Sequence, residues 1–125
     1  MSENFFLQQA PFVVPTTDGK LIEEHVGRIA TDETNLSVAH MVAPPGWSEP
    51  HQNPEFDEYT LMVRGRKQIE INGETVTLNS GESLLVRKGV RVQYSNPFEE
   101  EAEYWSVCIP AFSPDSVNRE NDSST

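Results

Sequence analysis

The segment from Lys67 to Leu78 leaves the chain little choice of fold. Lys67-Gln68-Ile69-Glu70-Ile71 alternates polar and apolar, Asn72-Gly73 follows, and Glu74-Thr75-Val76-Thr77-Leu78 alternates again. Alternation sends successive side chains to opposite faces of a strand, and Asn-Gly supplies the two positive φ angles that a type I′ hairpin turn needs. The spacing predicts a hairpin whose Ile69, Ile71, Val76 and Leu78 share a buried face. Asn79-Ser80-Gly81 then turns into a strand over Ser83–Val86, Lys88-Gly89 into one over 90–94, and Asn96-Pro97 toward one over 103–109. Earlier strands are expected over 36–42 and 57–63, with another around 25–30 after an Asp18-Gly19 turn. No stretch holds a helical stripe for twelve residues, so the pattern predicts an all-β sandwich or barrel.

A chain of 125 residues reads as one domain, able to bury roughly two-thirds of its unfolded surface. Residues 1–112 form that domain, with 1–22 as an N-terminal arm. Phe5, Phe6, Leu7, Phe12, Val13 and Val14 are too apolar to lie in water, so the arm is expected to pack on the barrel or on a second subunit of a homodimer. Residues 113–125, SPDSVNRENDSST, read as a flexible polar tail. With 20 acidic against 9 basic side chains the formal charge is −11, a field that argues against phosphate-tracking nucleic-acid binding and against anionic membranes. Cys108 is the only cysteine, which excludes an intrachain disulfide and a CxxC pair and fits a reducing cytoplasm. The first Lys is Lys20, so no export signal and no membrane span is expected.

Chemistry concentrates between Gly46 and Gly65. Gly46, four residues, His51, one residue, Asn53, four residues, Glu58, six residues and Gly65 make one spaced set. A second runs Gly81, five residues, Arg87-Lys88-Gly89, two residues, Val92, three residues and Asn96. Together they resemble the two motifs of the cupin family over roughly residues 36–112, with Asn53 where the second histidine of the first motif stands. Arg87 and Val92 replace the proline and the histidine of the second. The resemblance implies a cupin-type antiparallel β-barrel, also described as a double-stranded β-helix or jelly roll. It also implies a small-molecule ligand and, in metal-bearing members, one divalent ion held inside the barrel.

Carried over residue by residue, the resemblance makes His51, Glu58 and Asn53 metal ligands. Glu49 is a possible addition, because residues two apart on an extended strand face the same way. Glu55, Asp57 and His40 could add oxygen or nitrogen donors. Manganese, iron, nickel and zinc are the candidate ions, and the loss of two imidazoles leaves a metal-free barrel as the alternative. Without metal, His51 and Glu58 remain as an acid–base pair for isomerase or lyase chemistry, with dioxygenation a third option on metal. The non-catalytic alternative is a barrel that binds or senses a metabolite. Trp47, Asn53, Tyr59, Met62, Val92 and Tyr94 are expected around the ligand, with Val92 drying the pocket floor. Cys108 is assigned to packing, and Arg64, Arg66, Lys67, Arg87, Lys88 and Arg91 to the surface, with Arg87 and Arg91 as a possible anion clamp at the mouth.

Overall fold

The computed structural model describes residues 4–120. Its strands are β1 (Phe12–Val13), β2 (Leu21–Val26), β3 (Ser37–Ala43), β4 (Trp47–Ser48), β5 (Asp57–Arg64), β6 (Arg66–Ile71), β7 (Glu74–Asn79), β8 (Ser83–Val86), β9 (Val92–Asn96) and β10 (Ala102–Ile109), followed by a 3-10 turn at Pro114–Ser116. They pair antiparallel into a six-stranded sheet, β1-β2-β3-β10-β5-β8, and a four-stranded sheet, β4-β9-β6-β7. This is the expected all-β, double-stranded β-helix architecture. The hairpin forms in the expected register, with Ile69 opposite Val76 and Lys67 opposite Leu78, and Asn72 and Gly73 take φ of 49° and 87°.

Two strands start elsewhere than their sequence indicates. The strand expected over 25–30 lies at Leu21–Val26, because the Glu24 carboxylate accepts the backbone N–H groups of Ile29 (3.0 Å) and Ala30 (2.7 Å) and curls the following residues into a turn. The strand expected from residue 90 begins at Val92, since the Val90 N–H is spent on the Arg87 carbonyl in a turn. At the β5–β6 corner Gly65 holds φ of +78°, and a Cβ there would run into the Glu101 carbonyl.

Between the sheets one end of the interior is solid, packed with Met62, Ile69, Leu78, Val86, Val92 and Tyr104. The other end is open and roofed by both chain ends. Residues 113–120 do not behave as a free tail. Glu55 N–H donates to Ser116 O (2.8 Å), Glu120 N–H to His51 O (2.8 Å), and Val117 is buried beside Phe56. The polar composition misleads here because main-chain bonds, Val117 and polar side-chain pairs such as Asn118–Glu55 and Arg91–Glu120 anchor the segment; residues 121–125 lie outside the described part. At the other end β1 pairs with β2 and residues 14–18 pack on the barrel, while Phe5, Phe6 and Leu7 stand exposed. Residues 1–3 of the expected arm are likewise outside the described part.

Candidate functional site

Period two decides which side chains enter the open end. On β5 the inward positions are Glu58, Thr60 and Met62, and on β10 they include Ser106 and Cys108. Lys20, Ile22 and Glu24 enter from the edge of β2. Together with Glu49, Gln52 and Phe56 from the 49–56 loop and with Phe112 and Arg119 from the C-terminal segment, they bound a cavity of about 460 Å³. That volume suits a small organic molecule.

The cavity is a charged pocket set on an aromatic floor. Lys20 is buried, its ammonium 4.4 Å from the Trp47 ring centroid and 5.6 Å from that of Tyr104. Burial alone would push its pKa down, but Tyr104 and the carboxylates Glu49 and Glu58 outweigh this and the net shift is upward. Lys20 therefore stays a cation and serves as a donor, not as an amine nucleophile. Glu58 accepts the Ser106 hydroxyl at 2.6 Å. Gln52 is 4% exposed; its amide nitrogen faces Glu49 Oε1 at 3.5 Å, and its Oε1 has no hydrogen-bond partner. Arg119 at the mouth lies 3.6 Å from the other Glu49 oxygen.

Beneath the floor a second lysine is enclosed. Lys67 lies 3.6 Å from the Tyr104 ring centroid and 4.3 Å from that of Tyr94. It is 1% exposed, which corrects its assignment to the surface. Lysine enters a core at this depth when aromatic faces and nearby carboxylates replace its water. Burial, with Glu58 and Glu49 nearby, holds the Tyr94 phenol well above its usual range, and burial pushes the Cys108 thiol up as well. Cys108 is thus an inert packing group.

The residues expected to act together are split. Gln52, not His51, bridges Val92, with N–H···O distances of 2.9 Å in both directions, and turns inward. Its neighbours His51 and Asn53 therefore face out. His51 Nε2 lies 3.1 Å from Glu70 Oε1 on the four-stranded sheet, so the His51–Glu58 pair does not form. Asn53 donates to the Gly89 carbonyl at 3.4 Å. Glu49 does enter the cavity, because β4 ends at Ser48 and Pro50 breaks the alternation assumed for 49, 51 and 53. Trp47, Met62, Val92 and Tyr94 are core residues at or below the floor, and Tyr59 lies on β5 among the outward positions. Glu55 accepts from Asn118 and Asp57 from the Lys88 N–H; His40 sits between Glu23 and Glu103 outside the barrel. Arg91 forks onto Glu120 at 2.6 and 2.9 Å rather than clamping an anion.

This donor set does not fit a divalent ion. Inside the barrel Glu49 and Glu58 stand beside an ammonium, the carboxylates of Asp18 and Glu24 are spent on N–H donors, the imidazole of His51 is turned away and Val92 offers no donor atom. Among the described residues no three His, Cys, Asp or Glu side chains converge as ligands. Lys20, Gln52, Ser106 and Lys67 escaped the sequence reading, although parity carried a signal: Lys67 shares a face with Ile69 and Ile71, and Lys20 with Ile22.

Comparison with known proteins agrees with the fold. The family model for the cupin domain matches residues 39–109. A Myxococcus xanthus protein named endoribonuclease YbeY is 46% identical over 108 residues, covering 86% of this chain but 37% of that protein. Tetracenomycin polyketide synthase protein TcmJ of Streptomyces glaucescens is 33% identical over 64 residues, 50% of this chain and 43% of that one. The chain thus spans less than half the length of these curated relatives. Among solved structures, a Streptomyces PAC13 variant with uridine superposes with a TM-score of 0.75 at 13% identity, covering 96% of this chain and 92% of that one.

Proposed function

The chain belongs to the cupin family, and from that premise we propose that it binds a compact, neutral, hydroxyl- or imide-bearing molecule in the cavity lined by Lys20, Glu49, Gln52 and Glu58. One observation carries this reading. Gln52, whose amide nitrogen faces Glu49 at 3.5 Å, lines the cavity with an amide oxygen that has no hydrogen-bond partner among the described residues. Glu49 and Glu58 add two more acceptors, and Lys20 meets a carbonyl or hydroxyl oxygen. The net charge of −11 favours neutral over anionic ligands. The uridine in the PAC13 structure has this chemistry, an imide N–H and ribose hydroxyls, and makes a rational first probe.

A catalytic reading has its own support. Glu58 is fixed by Ser106 in the same cavity as a protonated Lys20, an arrangement in which a carboxylate takes a proton while the ammonium stabilises the oxygen that gains charge. It favours isomerase or lyase chemistry on a carbonyl compound and replaces the His51–Glu58 pair. The ribonuclease name of the Myxococcus protein belongs to a chain of which 37% is matched. A cavity lined by the carboxylates of Asp18, Glu24, Glu49 and Glu58 would repel a phosphate backbone. The partners this reading assigns are a small molecule and a second copy of the chain. A reducing cytoplasm is the compartment this proposal assumes; among the described residues no helix is long and apolar enough to cross a membrane.

Thermal-shift titration of a panel of ribose, uridine and glycerol against the wild type, Lys20→Met and Gln52→Leu tests the binding reading. At least one compound is expected to raise the wild-type Tm and to lose most of that effect in both variants. A panel that leaves the wild type unmoved, or shifts all three proteins equally, contradicts it.

A further inference from the structure

The two chain ends that roof the cavity are held in different ways. On the N-terminal side residues 14–18 are tied to the sheet and the core. The Val14 N–H donates to the Ile22 carbonyl (2.9 Å), the Thr16 hydroxyl to the Lys20 carbonyl (2.7 Å), and Asp18 accepts the Trp47 indole N–H (2.8 Å). On the C-terminal side the last such tie is the Phe112 N–H on Ser37 Oγ at 2.9 Å. Beyond it, among the described residues, the segment's hydrogen bonds to the rest of the chain reach only residues 51–55 and Arg91.

Water replaces such ties readily. The Glu55 N–H donates to the Ser116 carbonyl (2.8 Å), the Asn53 N–H to that of Asn118 (3.3 Å), and the Arg91–Glu120 fork joins two exposed side chains. Within 113–120 only Val117 is buried, in a cluster with Phe56 and Cys108. A segment with one buried apolar side chain and solvent-facing hydrogen bonds belongs to the low-stability end of a structure and opens without global unfolding.

Alternation along the end of the segment links it to the cavity. Asn118 turns to Glu55 and Glu120 to Arg91, while Arg119 between them lines the cavity across a β-bridge from Gln52. Both bridge partners converge on Glu49, Gln52 Nε2 at 3.5 Å from one oxygen and Arg119 Nη2 at 3.6 Å from the other. Each distance exceeds the roughly 2.7–3.2 Å of a good N–H···O bond, so the carboxylate stays open to a donor from an occupant.

We propose that the segment from Ser113 to Glu120 is the gate of this cavity, hinged after Phe112 and latched by Arg119 on Glu49. The proposal rests on the reading of the cavity as a binding site and adds its regulation. Entry requires the segment to lift from residues 51–55. A ligand donor that engages Glu49 takes the partner of the latch, so the gate closes most firmly over an empty cavity and Arg119 sets the rate of entry.

Amide hydrogen exchange of the full, ligand-free chain, followed by two-dimensional NMR, tests this. Asn53 and Glu55 donate to the gate, whereas Gln52 and Val92 donate to each other beneath it. The expected result is exchange at Asn53 and Glu55 about 100-fold faster than at Gln52 and Val92, relative to unfolded-chain rates. Arg119→Met, which keeps an apolar stem and removes the charge, is expected to speed exchange at Asn53 and Glu55 about fivefold and to leave Gln52 and Val92 unchanged. Val117→Ala is expected to speed the same two amides about 20-fold. Circular dichroism verifies the fold of both variants. Equal protection of all four amides makes the segment a fixed wall and overturns the gate. Unchanged exchange at Asn53 and Glu55 in Arg119→Met overturns the latch. No ligand is present, so a panel of compounds that fails to bind contradicts the binding reading and leaves the exchange result to decide the gate.

Discussion

The two ends of the barrel interior use the same strands to opposite purposes. At the packed end, inward residues of β6, β7 and β9 such as Ile69, Leu78 and Val92 close on one another and leave no room. At the open end, the inward positions of β5 and β10 become Glu58, Ser106 and Cys108, and they border a cavity that residues 14–18 and the segment from Phe112 to Arg119 also line. The rings of Trp47, Tyr104 and Tyr94 take two ammonium groups, Lys20 against Trp47 and Tyr104 and Lys67 against Tyr104 and Tyr94. The difference teaches that charge enters this barrel only where rings or an opposing carboxylate replace lost water, and that stability and binding are segregated along its axis.

The comparison is most easily broken at the packed end. Ile69→Ala removes a fully buried side chain from a filled region and is expected to cost about 3 kcal/mol, read as a lower urea midpoint at unchanged m. A loss below about 1 kcal/mol would show that this end is as loosely filled as the other. At the open end Lys20→Met should leave the urea midpoint nearly in place while lowering the affinity for any panel ligand at least tenfold. A large loss of stability with unchanged affinity would make Lys20 a structural cation instead.

Rebuilding the family's histidine pair sharpens the geometry. In Asn53→His/Val92→His the new imidazole at 92 enters the core, at a position with no exposure, and the one at 53 faces out beside Gly89. Elemental analysis is expected to find no stoichiometric gain of bound metal, and the variant to be less stable than the parent. One metal per chain would mean that residues 51–53 turn inward.

How much of this was legible follows from local rules. The hairpin, the turns that follow it and most strand positions were readable because Asn72-Gly73 and period-two alternation each have one low-energy answer. Of the site, Glu58 and Glu49 were named and do line the cavity, but His51 and Asn53 were misplaced, because residues 49–53 alternate only if they are a strand, and Pro50 prevents that. Lys67 and Lys20 sat at inward parity all along, but lysine is almost never buried unless paired, and the rings that cover it come from β4, β9 and β10. The fate of 113–120 depended on main-chain bonds to 51–55 and on side-chain partners as distant in sequence as Glu55 and Arg91, which composition does not encode.

A smaller effect belongs outside the barrel. Burial lowers the pKa of His40, but hydrogen bonds to Glu103 and Glu23 outweigh it and raise it above its ordinary 6.5, while His40 chiefly holds Glu103 below its ordinary 4.5. The raised histidine contributes stability that is complete below about pH 6.5 and fades as pH rises through its folded pKa. The lowered Glu103 contributes above about pH 4.5 and fades in acid. Urea midpoints should therefore decline on the alkaline side of pH 6.5, and His40→Gln should flatten that slope. A slope that survives the substitution would assign it to other groups.

The central claim is that ligand chemistry belongs to Gln52 and Lys20 and not to His51, one residue away. Two-dimensional NMR of the wild type during titration with uridine and ribose tests it directly, following the Gln52 side-chain amide, the Lys20 ammonium and the His51 ring. The account predicts saturable shifts at Gln52 and Lys20 with His51 unmoved. Shifts centred on His51 and Glu70, or none at Gln52 and Lys20 at millimolar ligand, would contradict it.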